Sequence, residues 1–120
     1  MYKSQTIALG NESDIVLLRM QVRDLARAVG MNLADQARVS LAASSLAKAM
    51  GLGANHPGQA IIAGLVRDEQ TGVRVVCMEE RSQSRCSSEL PNEVRWMVDE
   101  LTMEMLPSNV QQATLIKWRR

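Results

Sequence analysis

A few side chains in this chain have the chemistry for catalysis or ligand binding. His56 is the only histidine, but it sits between Asn55 and Pro57 in a turn-forming stretch with no Ser, Cys or acid at a recognisable motif spacing, so it reads as a loop residue. Ser44 and Ser45 could act as nucleophiles if a base activated them. The other reading is that small residues on an interior helix face let a second element approach closely. Glu79 and Glu80 together could hold a cation through carboxylate oxygens, or simply form a solvated strand end. Cys77 and Cys86 are nine positions apart with no further Cys or His to complete a metal spacing, and read as reduced structural thiols. Arg81 and Arg85, in a Ser-rich stretch, could bind a phosphate or a partner's carboxylate, or serve only solubility.

The elements that must position these residues follow from periodicity. Residues 3–9 alternate and read as a short strand ended by Gly10. Asn11 or Ser13 caps a helix carried by Ile15, Leu18, Val22, Leu25, Ala26 and Val29, and Gly30 stops it. Asn32 caps a second helix, with a stripe of Ala37, Leu41, Ala42, Ser45, Leu46, Ala49 and Met50 and a stop at Gly51. After a loop over 51–58, two Ile- and Val-rich runs at 59–68 and 73–78 flank Glu69, Gln70, Thr71 and Gly72 and read as a β-hairpin. Residues 79–89 read as an exposed connection. Pro91 opens a third helix whose face is Val94, Met97, Val98, Leu101 and Met105, and residues 113–118 form a closing strand. Three helices suffice to cover one face of such a sheet. The expected fold is therefore α+β, a two-layer sandwich with a mixed sheet of four or slightly more strands.

Composition narrows the function classes. A chain of 120 residues accommodates one domain, here spanning 1–120. Tyr2, Trp96 and Trp118 are the only aromatic residues, so the core must be aliphatic and platforms for stacking bases are scarce. Each tryptophan could anchor either the core or an interface, and Met78, Met97, Met103 and Met105 either fill core or form an adaptable surface. Fourteen basic against thirteen acidic side chains leave a net charge of +1, too little to gather nucleic acid or anionic lipid. No apolar run suggests a signal peptide or a membrane span, and the expected location is cytoplasmic.

Two stretches carry a family resemblance. Residues 22–50, with Asp35-Gln36-Ala37-Arg38 and Ala43-Ser44-Ser45-Leu46-Ala47-Lys48-Ala49, resemble the anti-sigma regulatory-factor branch of the histidine-kinase-like (GHKL) ATPases. The ending Val98-Asp99-Glu100-Leu101 and Thr114-Leu115-Ile116-Lys117-Trp118 resembles the last helix and strand of that branch. In such ATPases, a Glu on the second helix acts as base or water-positioning group and an Asn holds magnesium. The matching positions here are Ser45 and Ala49. Ser is no base near neutral pH without a helper, and Ala has no ligand atom. The family's adenine-recognising Asp falls on Glu79, and its two following glycines fall on Arg81 and Gln83. The Gly-rich phosphate lid is replaced by Ser84, Arg85, Cys86, Ser87, Ser88 and Glu89, and a Gly-Thr before the last strand by Val110 and Gln111.

The resemblance thus implies a degenerate histidine-kinase-like domain with no catalytic residues, no metal and no cofactor. Its role would be a non-catalytic interaction module in a bacterial partner-switching pathway. The implied partners are a sigma factor or an antagonist domain, with a homodimer possible. One alternative is an active serine kinase of the same branch, using ATP and Mg with Glu79, Arg81 and Gln83 at the nucleotide. Another is a dimerisation domain of a larger regulatory protein.

Overall fold

The computed structural model describes residues 4–53, 57–79, 92–107 and 110–120. Strand β1 (Gln5–Leu9) leads into helices α1 (Glu12–Ala28) and α2 (Leu33–Ala49). Hairpin strands β2 (Gly58–Arg67) and β3 (Gln70–Glu79) follow, then the short helix α3 (Asn92–Met97) and strands β4 (Glu100–Met105) and β5 (Gln111–Trp118). Among the described residues the fold is α+β, with three helices and five strands in the order β1-β2-β3-β5-β4, an arrangement compatible with a two-layer sandwich.

Local chemistry explains the helix pair. Asn11 caps α1 in a reciprocal box, its Oδ1 accepting from the Asp14 amide at 3.1 Å while Asp14 Oδ2 accepts from the Asn11 amide at 3.2 Å. Asn32 Oδ1 accepts from the Asp35 amide at 2.8 Å and starts α2. Both helices end in the same motif. Gly30 and Gly51 take left-handed φ values of 93° and 77°, and the next amide in each case, Met31 or Leu52, reaches back to a carbonyl five residues earlier, Ala26 or Ala47. That motif turns Met31 and Leu52 inward, which is why two residues outside any helical stripe are buried.

Among the described residues every strand pairing is antiparallel, which corrects the expectation of a mixed sheet. One row of side chains runs Ile62, Val75, Leu115 and Leu101 across four strands by register, and a parallel row runs Ile7, Ala60, Cys77, Ala113 and Met103. These rows join Ile15, Leu18, Val22 and Ala26 of α1 and Val39, Ala43, Leu46 and Ala47 of α2 in one aliphatic core. Val94 of α3 completes it, with Met97 and Met103 packed at its margin.

Three further expectations are corrected. The third helix stops at Met97, and residues expected to extend it, Leu101 and Met105, lie in β4. Here Leu101 and Met103 face inward between Glu100, Thr102 and Glu104, a period of two rather than 3.6, and the Asp99 amide donates to the Ile116 carbonyl to begin the hairpin. Of the stripe expected for α2, Ala42, Leu46 and Met50 are buried, but the buried face also takes in Gln36, Val39, Ala43, Ser44 and Ala47, whereas Ala37, Leu41 and Ala49 are exposed. A helix so rich in Ala and Ser shows little contrast between faces, so the inner face lies partly rotated from the expected stripe. Finally, the β2–β3 turn is Asp68-Glu69, not 69–72.

The turn is tight and strained. Asp68 and Glu69 adopt φ of 51° and 67°, both left-handed, the geometry of a two-residue hairpin loop that favours Asn-Gly. A left-handed non-glycine residue costs about 1–2 kcal/mol, and glycine returns roughly 0.5–1 kcal/mol of that as chain entropy. Glu69→Gly is therefore expected to raise the unfolding free energy by roughly 0.5–1 kcal/mol and the melting temperature by a few degrees. Thermal denaturation checks this; an unchanged or lower melting temperature would contradict the turn geometry.

Candidate functional site

Helix α2 carries the two positions that the family resemblance singles out. Ser45 is half-buried and Ala49 exposed, four residues apart and so on one face of the helix's C-terminal half. Between them they offer a hydroxyl and a methyl, with neither a carboxylate to take a proton nor an amide oxygen to hold a divalent ion.

The inward-facing polar side chains of α2 are committed to the fold. Ser40 Oγ donates to the Ala37 carbonyl and Ser44 Oγ to the Leu41 carbonyl, each at 3.0 Å, which leaves neither hydroxyl poised as a nucleophile. Gln36 Nε2 donates to the Met31 carbonyl at 2.9 Å and ties the helix to the turn before it. Asp35, buried in the first turn, meets Arg38 Nη1 at 3.1 Å and Lys117 Nζ of β5 at 3.6 Å. Sequence reasoning missed Asp35, Gln36 and Lys117 as buried groups; the spacing of Asp35 and Arg38 was the available signal.

At the opposite end of the sheet two more polar groups are buried. Glu79, expected in an exposed connection or a solvated strand end, is the last residue of β3 and only 1% exposed. The correction follows from alternation, because Val73, Val75, Cys77 and Glu79 share the helix-facing side of the strand. One residue beyond the Met78–Gln112 register pair, on the neighbouring strand, stands Gln111. It is also buried, donates from Nε2 to Met103 Sδ at 3.2 Å, and leaves Oε1 without a hydrogen-bond partner among the described residues. Arg81, Gln83, Arg85, Cys86, Glu80 and His56 lie outside the described residues.

The tryptophans separate. Trp118 is buried, with Arg67 stacked over its ring at 5.2 Å, its Nε1 donating to Glu100 Oε2 at 3.3 Å and its amide donating to Asp99 Oδ2 at 2.7 Å. Trp96 of α3 is 87% exposed and contributes nothing to the core. Among the described residues no three His, Cys, Asp or Glu gather in an arrangement suited to a metal ion, and no helix is long and apolar enough to cross a membrane.

No protein-family model matches the chain, and no curated protein sequence does.

Cys77 lies in the middle of the helix-facing row, and burial pushes its thiol up from 9.0 to about 12. It is therefore an inert core group, not a nucleophile. Below pH 9 the thiol is protonated in both folded and unfolded chains. Between about 9 and 12 only the unfolded chain releases the proton, so the contribution of Cys77 to stability falls with rising pH, by up to about 1.4 kcal/mol per pH unit. The stability difference between the parent and Cys77→Ala should thus shrink from pH 9 to pH 11 in denaturant titrations. In a Cys86→Ser background Cys77 should react with a thiol reagent only at the rate of unfolding. A constant stability difference, or rapid labelling, would contradict this burial.

Proposed function

We propose that the chain is a non-catalytic regulatory interaction module, a degenerate histidine-kinase-like ATPase domain resembling an anti-sigma factor in a bacterial partner-switching pathway. The carrying observation is the use made of α2. In the family that the sequence resembles, this helix supplies the base and the magnesium ligand; here its inward polar side chains bond the chain's own backbone or Lys117, and Ser45 and Ala49 stand at the chemical positions. The order of helix pair, hairpin and helix supports the same reading, while Glu100 and Leu101, in the stretch that resembles the family's last helix, lie in strand β4 and count against it. The partner is a sigma factor or an antagonist domain, and control is exerted by competition between partners with different affinities for one surface.

A second reading is favoured by Glu79. Its burial on the helix-facing side, near Gln111, supports an ATP-binding serine kinase using Mg in which Glu79 serves as the adenine-recognising carboxylate. The extra methylene of Glu over Asp counts against it, as do the vacant base and metal positions on α2.

Calorimetric titration with ATP and ADP, with and without magnesium, at concentrations that detect a millimolar dissociation constant, separates the two. The expected result is no binding by the folded protein. Ser45→Glu combined with Ala49→Asn is expected to change stability modestly and to leave nucleotide binding absent. Magnesium-dependent binding by the parent would replace the first reading with the second.

A further inference from the structure

Helix α1 carries a second stripe that the core does not use. Val16, Arg19, Met20 and Arg23 recur at helical spacing, turned roughly a quarter of the way round the helix from Ile15, Leu18, Val22 and Ala26. That rotation points the stripe along the seam with α2, where Ser40 closes one side of a groove of about 250 Å³ lined by these residues. Val16 is 52% and Met20 59% exposed, an unusual use of apolar surface on a helix that already has a complete buried face.

The charges beside the groove are uncompensated. Asp24 is paired with Arg27 and Asp35 with Arg38 and Lys117, and Glu12, one turn before Val16 on α1, forms an ion pair with neither arginine among the described residues. Arg19 and Arg23 have no carboxylate partner among the described residues. Two guanidinium groups one helical turn apart, around an apolar floor, complement a helix that presents an aliphatic side chain between carboxylates at the same spacing. The groove is smaller than the roughly 300–1,000 Å³ of small-molecule sites, and suits one or two side chains of a docked helix.

We infer that the α1–α2 seam is the docking surface for an acidic amphipathic helix of a protein partner, with Met20 and Val16 taking its aliphatic side chain and Arg19 and Arg23 its carboxylates. This rests on the interaction-module reading and names the surface through which that module acts. Charge steering makes the encounter salt-dependent, and the apolar contact sets the lifetime of the complex.

The test is titration of the isotope-labelled full chain with a synthetic helix-forming peptide carrying Glu four residues apart around a Leu, against a scrambled peptide of equal composition, followed by amide chemical shifts. The expected result is shifts centred on Val16, Arg19, Met20, Arg23 and Ser40 with the designed peptide only. Binding should weaken at least about tenfold in R19E/R23E and several-fold in high salt. Both arginines are exposed, so the variant should keep the parent spectrum elsewhere. The inference is overturned by no shifts at millimolar peptide, by equal binding of the scrambled peptide, or by binding that R19E/R23E leaves intact. Shifts confined to the sheet's other face would sink this groove and leave the interaction module standing; nucleotide binding in the calorimeter would remove that module reading independently. R19E/R23E-sensitive self-association, or R19E/R23E-sensitive capture by phosphatidylserine vesicles without peptide binding, would equally overturn it, by assigning the seam to a second copy or to a membrane.

Discussion

A buried ion pair seats the helix layer on the sheet. Lys117, near the end of β5, and Asp35, in the first turn of α2, are both almost wholly removed from solvent and lie 3.6 Å apart. Withdrawing two charges from water costs several kcal/mol per ion, and the cost is met only where the geometry supplies opposite charge and hydrogen bonds together. Asp35 has both, because Arg38 reaches it from the next turn and its position in the first turn of α2 places it in the positive end of the helix dipole. The pair fixes the N-terminus of α2 over β5. α1 follows through a short turn held by Gln36, and the core rows then meet both helices.

The two ends of the sheet are used differently. At the Lys117 end, charges are matched: Asp35 with Lys117 and Arg38, Glu100 with Arg67 and the Trp118 indole, and Asp99 with Arg120 and the Trp118 amide. At the other end, Glu79 and Gln111 are buried side by side, and Gln111 keeps an amide oxygen without a partner among the described residues. A buried polar atom left in this state costs about 1–3 kcal/mol. The matched end secures the fold.

Much of this architecture was legible in the residues. Asn11, Gly30, Asn32 and Gly51 mark the helix boundaries because capping is a local interaction between neighbours in the chain. The Ile and Val runs of β2 and β3 declared a hairpin for the same reason. Strand β4 was hidden, since Leu101 and Met105 continue a helical spacing from Val94 and Met97 and only pairing with β5 selects the alternating pattern. The inner face of α2 was obscured by its uniform small residues. Burial of Glu79 and Lys117 was invisible because charge is a poor guide to depth when the partner is distant in sequence. At the candidate site, Ser45 and Ala49 were identifiable through resemblance alone, whereas the groove on α1 emerges only when α2 is laid beside it.

The charge pair between Asp35 and Lys117 anchors α2 over the sheet. A double-mutant cycle on Asp35→Asn and Lys117→Met, read by denaturant unfolding, tests it most directly. The account predicts that Asp35→Asn, which leaves Lys117 buried without its counter-charge, costs about 3–5 kcal/mol, and that adding Lys117→Met recovers a large part of that loss. Single and double variants all within about 0.5 kcal/mol of the parent, the range of a surface substitution, would show that the pair does not hold the helix layer in place.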